Sequence, residues 1–268
     1  MKARDSSGGA PAPPGGAGAE GADHGAVWRI AWPMIVSNLS VPLLGLVDSA
    51  ILGHLPDARY LAAVAVATSL FGFLYWGFGF LRMGTTGLVA QRSGERVADA
   101  TGRRARDGAL RLLAAQAVVL ATALALFVLL AAPWLFPAGL ALMGAPPEVA
   151  AEAELYFRIR LFSAPAVLVT YALTGFLVGL QDTRSVLLVT VTTNVVNILL
   201  DLLLVPGLGL RTEGVALATL LAEWLGCGLA VARVRTRLAA HPGRLPPGAL
   251  RELHRYRELL AVNGHLFV

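Results

Sequence analysis

The sequence predicts an all-α protein that is embedded in a membrane as a bundle of six spanning helices. Of its 268 residues, 56% are hydrophobic and only 15% are charged, whereas soluble domains carry about 25% charge. Six apolar segments each reach the roughly 20 residues that a helix needs to cross a bilayer. Arginines are concentrated between alternate segments, as in the loops of multi-pass membrane proteins. Together these observations exclude a water-soluble protein.

The apolar segments divide the chain into four parts. Residues 1–26 are rich in Gly, Ala and Pro without an apolar run, which excludes a signal peptide and predicts a disordered cytoplasmic tail. We expect residues 27–236 to form the six-helix lobe, 237–258 a cytoplasmic linker, and 259–268 the truncated start of a seventh helix. The predicted spans are 27–53, 60–91, 108–132, 155–180, 185–207 and 214–232.

The charge distribution predicts the orientation of the bundle. Arginines follow the second and sixth spans, whereas the segment after the third span carries Glu148, Glu152 and Glu154 and no basic residue before Arg158. Because basic loops stay on the cytoplasmic side, we expect a cytoplasmic N-terminus and insertion in a bacterial inner membrane. Arginines that are distributed among loops also argue against a nucleic-acid partner.

Prolines and short connections refine the predicted spans. Pro33 and Pro42 in the first span, and Pro165 in the fourth, should bend their helices and free backbone groups that need other partners. Short connections at 181–184 and 206–212 predict tight helical hairpins.

Two acidic residues lie inside otherwise apolar spans: Asp48 in the first and Asp201 in the fifth. A charged carboxylate is costly in a bilayer, so such residues point to a functional site. At about 1.5 Å of rise per residue, Asp48 lies roughly 28 Å and Asp201 roughly 24 Å above the inner edge of the membrane. Both therefore belong to the outer half at a similar depth, where they could meet.

Asn197 and Thr219 join the two aspartates at that depth. Asn197 lies one turn before Asp201 on the same helix face, and Thr219 lies roughly 10 Å below the outer end of the sixth span. Two carboxylates in a pocket of low dielectric would hold a proton between them. The same oxygens could instead wrap a sodium ion. A local structural role for each aspartate, next to Pro42 and Pro206, stays open.

Other polar and aromatic residues support several interpretations. Glu223 follows Thr219 by one turn and either relays protons, lines a cavity or forms a structural pair. Arg82 either reaches the lipid headgroups or lines a cavity. The aromatic run 71–80 is expected to pack or contact lipid, and part of it could line a pocket for flat cations. Asp182 and Arg184 predict a local ion pair at an inner turn.

Three stretches resemble the multidrug and toxic compound extrusion (MATE) transporters, most closely their DinF-like branch. They are IAWPMIVSNLSVPLLGLVDSAILGHL, FGFLRMGTTGLVAQ and GLQDTRSVLLVTVTTNVVNILLDLLLVPGLGLRTEGVALATLLAEW. The resemblance implies half of a twelve-helix fold with two six-helix lobes. It also implies export of cationic or amphipathic organic compounds, as in multidrug efflux, in exchange for H⁺ or Na⁺. No other cofactor is implied.

The resemblance also implies a cation site in this lobe. The first-helix acid of the family matches Asp48, its fifth-helix amide and acid match Asn197 and Asp201, and its sixth-helix threonine matches Thr219. Where some members carry a tyrosine one turn before the first acid, this chain has Leu44, so an identical ion geometry is not implied.

Length and chemistry leave rival interpretations. The chain would be an N-terminal half, so its partner would be a missing C-terminal lobe or a second half-transporter chain, and we expect a truncated gene product or fragment. A flippase for lipid or polysaccharide precursors and a non-transporting membrane scaffold are the alternatives. The sequence contains no nucleophile–base pair, metal cluster or phosphate loop that would indicate an enzyme.

Overall fold

The computed structural model describes residues 24–241 together with residues 243 and 256. This part of the chain contains eight α-helices and no strand. The helices are α1 (His24–Gly53), α2 (Ala58–Trp76), α3 (Phe80–Gly94), α4 (Ala100–Met143), α5 (Pro147–Arg160), α6 (Ala164–Gly179), α7 (Thr183–Leu202) and α8 (Thr212–Ala239). The all-α prediction is confirmed.

The six predicted membrane spans are also confirmed. In the part of the chain that the structure describes, six helical segments are long and apolar enough to cross a bilayer. They are Ala31–Gly53, Ala58–Gly94, Ala100–Met143, Pro147–Gly179, Thr183–Gly207 and Thr212–Ala239. The second span is interrupted at residues 77–79 between α2 and α3, and the fourth by a 3₁₀ turn, Leu161–Ser163, between α5 and α6. Pro165 follows that turn at the start of α6, where a missing amide hydrogen is tolerated.

Several predicted boundaries are wrong. Span three begins at Ala100, so arginines that were expected in a loop lie on α4, and span four begins at Pro147. Glu152 therefore belongs to α5, where its carboxylate accepts a hydrogen bond from the Thr212 hydroxyl. Hydropathy marks the stretch that lies in hydrocarbon, but a helix continues beyond it while its backbone bonds remain favourable.

The ends of the predicted lobe also differ. Helix α1 begins at His24 and α8 continues to Ala239, so residues 24–26 and 237–239 are helical rather than tail or linker. Most of the predicted tail and linker, and all of segment 259–268, lie outside the described residues.

Aspartates and one glycine set the helix ends. Asp57, Asp99 and Asp182 cap α2, α4 and α7, and each carboxylate accepts a backbone amide hydrogen from the first turn. Helix α4 ends at Gly144, which has a φ of 61° and therefore adopts the left-handed conformation that favours glycine. Local side-chain chemistry thus helps to fix where these three helices begin.

Helix α6 occupies the centre of the lobe and packs against α3, α4 and α8. Its contact with α3 forms a small-residue seam at Gly175 and Gly179. A Cβ atom on Gly175 would lie 2.5 Å from the carbonyl oxygen of Arg82. Across the seam, the Thr86 hydroxyl donates to the Gly175 carbonyl at 3.1 Å. Small residues thus allow the two backbones to approach closely, as is common in membrane helix pairs.

Neighbouring helices place the polar residues of the lobe. Helix α7 packs against both α1 and α8, and α5 packs against α2 and α8. Helices α1, α5, α7 and α8 thus meet in one connected region of the bundle. Large apolar side chains on the outer surfaces are exposed, as expected for a lipid-facing protein.

Candidate cation-binding site

The structure brings Asp48 and Asp201 together between α1 and α7. Their carboxyl groups lie close enough to interact directly with each other. Asp201 is fully buried, with an exposed fraction of 0%. A bend-capping role would have paired each aspartate with its own helix, but the two aspartates face one another instead. We refer to Asp48 and Asp201 as the carboxylate pair.

A second polar contact fixes the register between the two helices. The Asn194 side-chain amide of α7 donates to the Ser40 hydroxyl of α1 at 2.7 Å. Ser40 precedes Asp48, and Asn194 precedes Asp201, by about two helical turns in each case. Parallel helices that match at both levels hold the carboxylate pair in a defined arrangement. Sequence reasoning missed Ser40 and Asn194 because neither residue is charged.

Polar atoms around the carboxylate pair lack hydrogen-bond partners. Among the described residues, no donor reaches Oδ1 of Asp48 or either carboxylate oxygen of Asp201, and no acceptor reaches Nδ2 of Asn197. Buried polar groups in proteins are almost always paired, so each exception calls for an explanation. A proton or a small cation at the pair would supply what the carboxylate oxygens lack.

Asn197 lies on α7 together with Asp201, and Thr219 lies on α8, which packs against α7. Asn197 is buried one turn before Asp201 on α7, and Thr219 is buried on α8. The Thr219 hydroxyl donates to the Val215 carbonyl of its own helix at 2.9 Å. Its oxygen keeps lone pairs that a cation could use. The amide and hydroxyl oxygens are therefore available as neutral ligands.

An ion pair between α5 and α8 lies beside the carboxylate pair. Nη2 of Arg160 lies 3.2 Å from Oε1 of Glu223, and the two side chains are only 13% and 17% exposed. Of the three roles considered for Glu223, the structure therefore supports the one in a structural ion pair. Sequence reasoning missed Arg160, although it lies inside the predicted span 155–180 and the rule that identified Asp48 applies to it equally.

Arg82 lines a separate cavity near the interruption of the second span. The cavity has a volume of about 400 Å³. Its lining residues are Tyr75, Trp76, Gly79, Phe80, Arg82, Met83 and Tyr171. The structure therefore places Arg82 in the cavity-lining position and does not join it to the carboxylate pair. Part of the aromatic run 71–80 shares this cavity.

The predicted ion pair between Asp182 and Arg184 is wrong. Asp182 pairs with Arg237 of α8 instead, at 2.5 Å, and also accepts the Ser185 hydroxyl at 2.6 Å. Burial alone would raise the pKa of Asp182, but the hydrogen bonds from Arg237 and Ser185 bring this pKa below its ordinary value of 3.8. Arg184 is exposed, because its position in the first turn of α7 turns it away from the partner helix.

Comparison with known proteins gives a family match. The family model described as MatE matches residues 33–203. The DNA damage-inducible protein F of Escherichia coli (strain K12) is 39% identical over 245 residues, which cover 91% of this chain and 51% of that protein. A probable multidrug resistance protein NorM from Acinetobacter baylyi is 28% identical over 206 residues, or 74% of this chain and 43% of that protein.

Solved structures share the fold. A structure described as an outward-facing conformation of a multidrug resistance MATE family transporter aligns with a TM-score of 0.73 and 22% identity. The alignment covers 89% of this chain and 51% of that chain. Another, a MATE protein in complex with MaD3S, aligns with a TM-score of 0.69 and 22% identity over 89% of this chain.

The chain spans about half the length of the curated relatives that it matches. The region that matches the family model includes Asp48, Asn197 and Asp201 and ends before Thr219. The expected resemblance and the six-span bundle are both confirmed. The chain therefore belongs to the MatE family, as a multi-pass membrane protein.

Proposed function

We propose that this chain forms the cation-binding part of a secondary antiporter. The antiporter exports cationic or amphipathic organic compounds in exchange for H⁺ or Na⁺. The observation that carries the proposal is the carboxylate pair, in which Asp48 and Asp201 face each other with buried oxygens that lack donors. Asp48 and Asp201 bind the coupling cation, and Asn197 and Thr219 provide supporting oxygens.

Electrostatics connects the carboxylate pair to a change of shape. Two neighbouring carboxylates in a pocket of low dielectric repel each other unless a cation lies between them. Cation binding draws α1 and α7 together, and cation release drives them apart. Helix α1 contains Pro33 and Pro42, which remove backbone hydrogen bonds from its ladder. A helix weakened in this way can rearrange between two states as the charge of the carboxylate pair changes.

Two relatives support the choice of cargo. The NorM protein of Acinetobacter baylyi is named as a probable multidrug resistance protein, and a similar fold is described as a multidrug resistance transporter. A cation site made of carboxylates suits substrates that carry positive charge, because substrate and coupling cation then compete for the same negative field.

The test is transport of a cationic probe into everted membrane vesicles of cells that express the complete protein carrying this chain. Ethidium serves as the cationic probe, and an imposed pH gradient or Na⁺ gradient drives transport. Wild-type protein should transport ethidium when one of these gradients is imposed. The rate of gradient-driven transport should be at least tenfold lower for Asp48→Asn. The matched control is Asp57→Asn, an exposed helix cap that asparagine also fills well.

The outcomes separate the coupling role from the fold. If Asp48→Asn transports ethidium as the wild type does under the same gradient, the role assigned to Asp48 is wrong. If the wild type responds to neither gradient but moves a labelled lipid between leaflets, the flippase alternative replaces the proposal. Equal behaviour of Asp57→Asn and wild type establishes that loss of a surface carboxylate has no effect by itself.

A further inference from the structure

We infer that Arg160 is a built-in counter-cation for the carboxylate pair. It binds Glu223 while the coupling cation occupies the pair, and its positive charge is drawn to Asp48 when that cation leaves. The inference rests on the proposed cation-coupled function and adds to it an internal competitor. Arg160 is therefore a positioning residue that tunes cation affinity and does not bind the transported compound.

The first observation is that the Arg160 guanidinium is only partly satisfied. Nη2 lies 3.2 Å from Oε1 of Glu223, and Nη1 donates to the Tyr156 hydroxyl at 3.3 Å. Nε of Arg160 and Oε2 of Glu223 are both buried without a partner. A guanidinium offers five N–H donors in a fixed fork, so this one keeps donors for a second carboxylate. The ion pair is thus incomplete on both sides.

The second observation is that the Arg160–Glu223 pair lies next to the proposed cation site, because Glu223 follows Thr219 of α8 by one helical turn. The positive charge of Arg160 also interacts electrostatically with the carboxylate of Asp48. Asp48 and Glu223 therefore share the field of one guanidinium, and Asp201 interacts directly with Asp48. With all three ionised, the cluster carries two uncompensated negative charges, which is why one coupling cation binds without removing Arg160.

The third observation is that two aromatic rings lie against the Arg160 guanidinium. The Arg160 guanidinium carbon lies 4.9 Å from the ring centroid of Phe71 and 5.8 Å from that of Tyr156. Aromatic faces attract a cation without a defined hydrogen-bond direction. Such a surface allows the fork to turn from one carboxylate to the other while it remains desolvated.

Every neighbouring element contributes groups to this field. Acidic groups come from α1, α7 and α8, and phenol groups surround Arg160 from α2, α5 and α6. The charged and titratable groups are Asp48, Asp201, Glu223, Tyr75, Tyr156, Tyr171 and, through its interaction with Tyr171, Arg82. Within the described residues, Glu223 supplies the carboxylate that forms an ion pair with Arg160. The charge of Glu223 therefore determines how strongly Arg160 is attracted to Asp48.

A competing internal cation has a measurable consequence. At an effective dielectric constant of about 20, a unit charge about 10 Å away changes the binding constant of a cation by on the order of tenfold. Removal of the Arg160 charge should raise the affinity of the carboxylate pair for H⁺ or Na⁺. Removal of the Glu223 charge should lower that affinity, because Arg160 then turns fully to Asp48. A purely structural ion pair predicts loss of stability in both variants and no opposite shifts.

The experiment measures the concentration of coupling cation that gives half-maximal ethidium transport into everted vesicles. Arg160→Met should lower that concentration about tenfold, Glu223→Gln should raise it severalfold, and Arg160→Lys should stay near wild type because the charge is kept. The matched control is Arg158→Met, which removes an arginine whose side chain is 75% exposed and should leave the value unchanged.

The double variant Arg160→Met/Glu223→Gln covers a failure of Arg160→Met to fold, because removal of both partners leaves no unpaired buried charge. Its half-maximal concentration should fall below that of Glu223→Gln alone. Shifts in the same direction for Arg160→Met and Glu223→Gln, or no shift in either, would overturn the counter-cation. If Asp48→Asn still abolishes coupling, the proposed function survives that result. If Asp48→Asn leaves coupling intact, the proposed function itself is wrong.

Discussion

Two groups of buried acids in this lobe differ in how they are satisfied. The Asp182 cluster consists of Asp182, Ser185, Arg233 and Arg237, and every carboxylate contact in it is short and charge-assisted or hydrogen-bonded. In the carboxylate pair, Asp201 is also buried, but no donor within the described residues reaches either of its oxygens. Two acids of the same type therefore have opposite surroundings, although they lie at the two ends of one helix.

The difference separates a structural role from a functional one. An acid with all its partners stabilises one arrangement of α7 and α8 and gives no reason for that arrangement to change. An acid without partners destabilises the resting arrangement until something binds to it. Strain of this kind persists where a protein needs it for function. Variants that remove the charge or the partners of either acid test this difference between Asp182 and Asp201.

The largest expected effect is loss of the Asp182 cluster. Asp182→Ala removes the cap of α7 and leaves Arg237 without its carboxylate, so the apparent free energy of unfolding should fall by about 2–4 kcal/mol. Thermal melting in detergent measures it. Arg184→Ala, at the exposed position nearby, should melt within error of the wild type. Equal melting of Asp182→Ala and wild type would contradict the structural role.

The opposite sign is expected in the carboxylate pair. Asp201→Asn keeps the shape of the side chain and removes a buried charge that has no donor, so the lobe should gain about 1–2 kcal/mol in stability. The same variant should lose gradient-driven ethidium efflux. Asp99→Asn at the cap of α4 serves as the matched control, with no change expected in either measurement. A less stable Asp201→Asn would imply that an undetected partner satisfies this carboxylate.

A smaller effect is expected where α4 holds the end of α8. Arg111 donates to the carbonyl oxygen of Leu238 at 2.6 Å and to that of His241 at 3.0 Å, which satisfies acceptors that a helix end leaves open. Arg111→Met should therefore lower the apparent free energy of unfolding by about 1 kcal/mol. Melting of Arg104→Met, which alters an exposed residue of the same helix, provides the reference.

The smallest effect is a pH dependence from Asp182. Its pKa in the folded lobe lies below the ordinary value of 3.8 because hydrogen bonds from Arg237 and Ser185 outweigh burial. The stabilisation is therefore complete above that ordinary value and is lost as pH falls through the folded value. Melting temperatures measured from pH 5 to pH 3 should fall more steeply for wild type than for Asp182→Asn. Parallel slopes would show that the pKa of Asp182 is not lowered in the folded lobe.

The features predicted well from sequence depend on distance along one helix. Span number follows from apolar length, and the similar depth of Asp48 and Asp201 follows from the rise per residue. Both quantities are fixed before any tertiary contact forms. The structure accordingly has six candidate spans and brings the two carboxyl groups together.

The features that were missed depend on contacts between helices. Asp182 pairs with Arg237, 55 positions away, rather than with its neighbour Arg184, because α8 passes directly beside the start of α7. Arg160 meets Glu223 across 63 positions. A single sequence contains no measure of which side of each helix faces which neighbour, so partners of this kind emerge only from the packed bundle.

The small-residue seam between α3 and α6 limits the routes by which a solute can reach the interior. At Gly175 and Gly179 the helix backbones are so close that even one methyl group would collide with them or with neighbouring side chains. The interface between α3 and α6 therefore leaves no gap at this level, and any solute that enters the lobe has to pass between other helices.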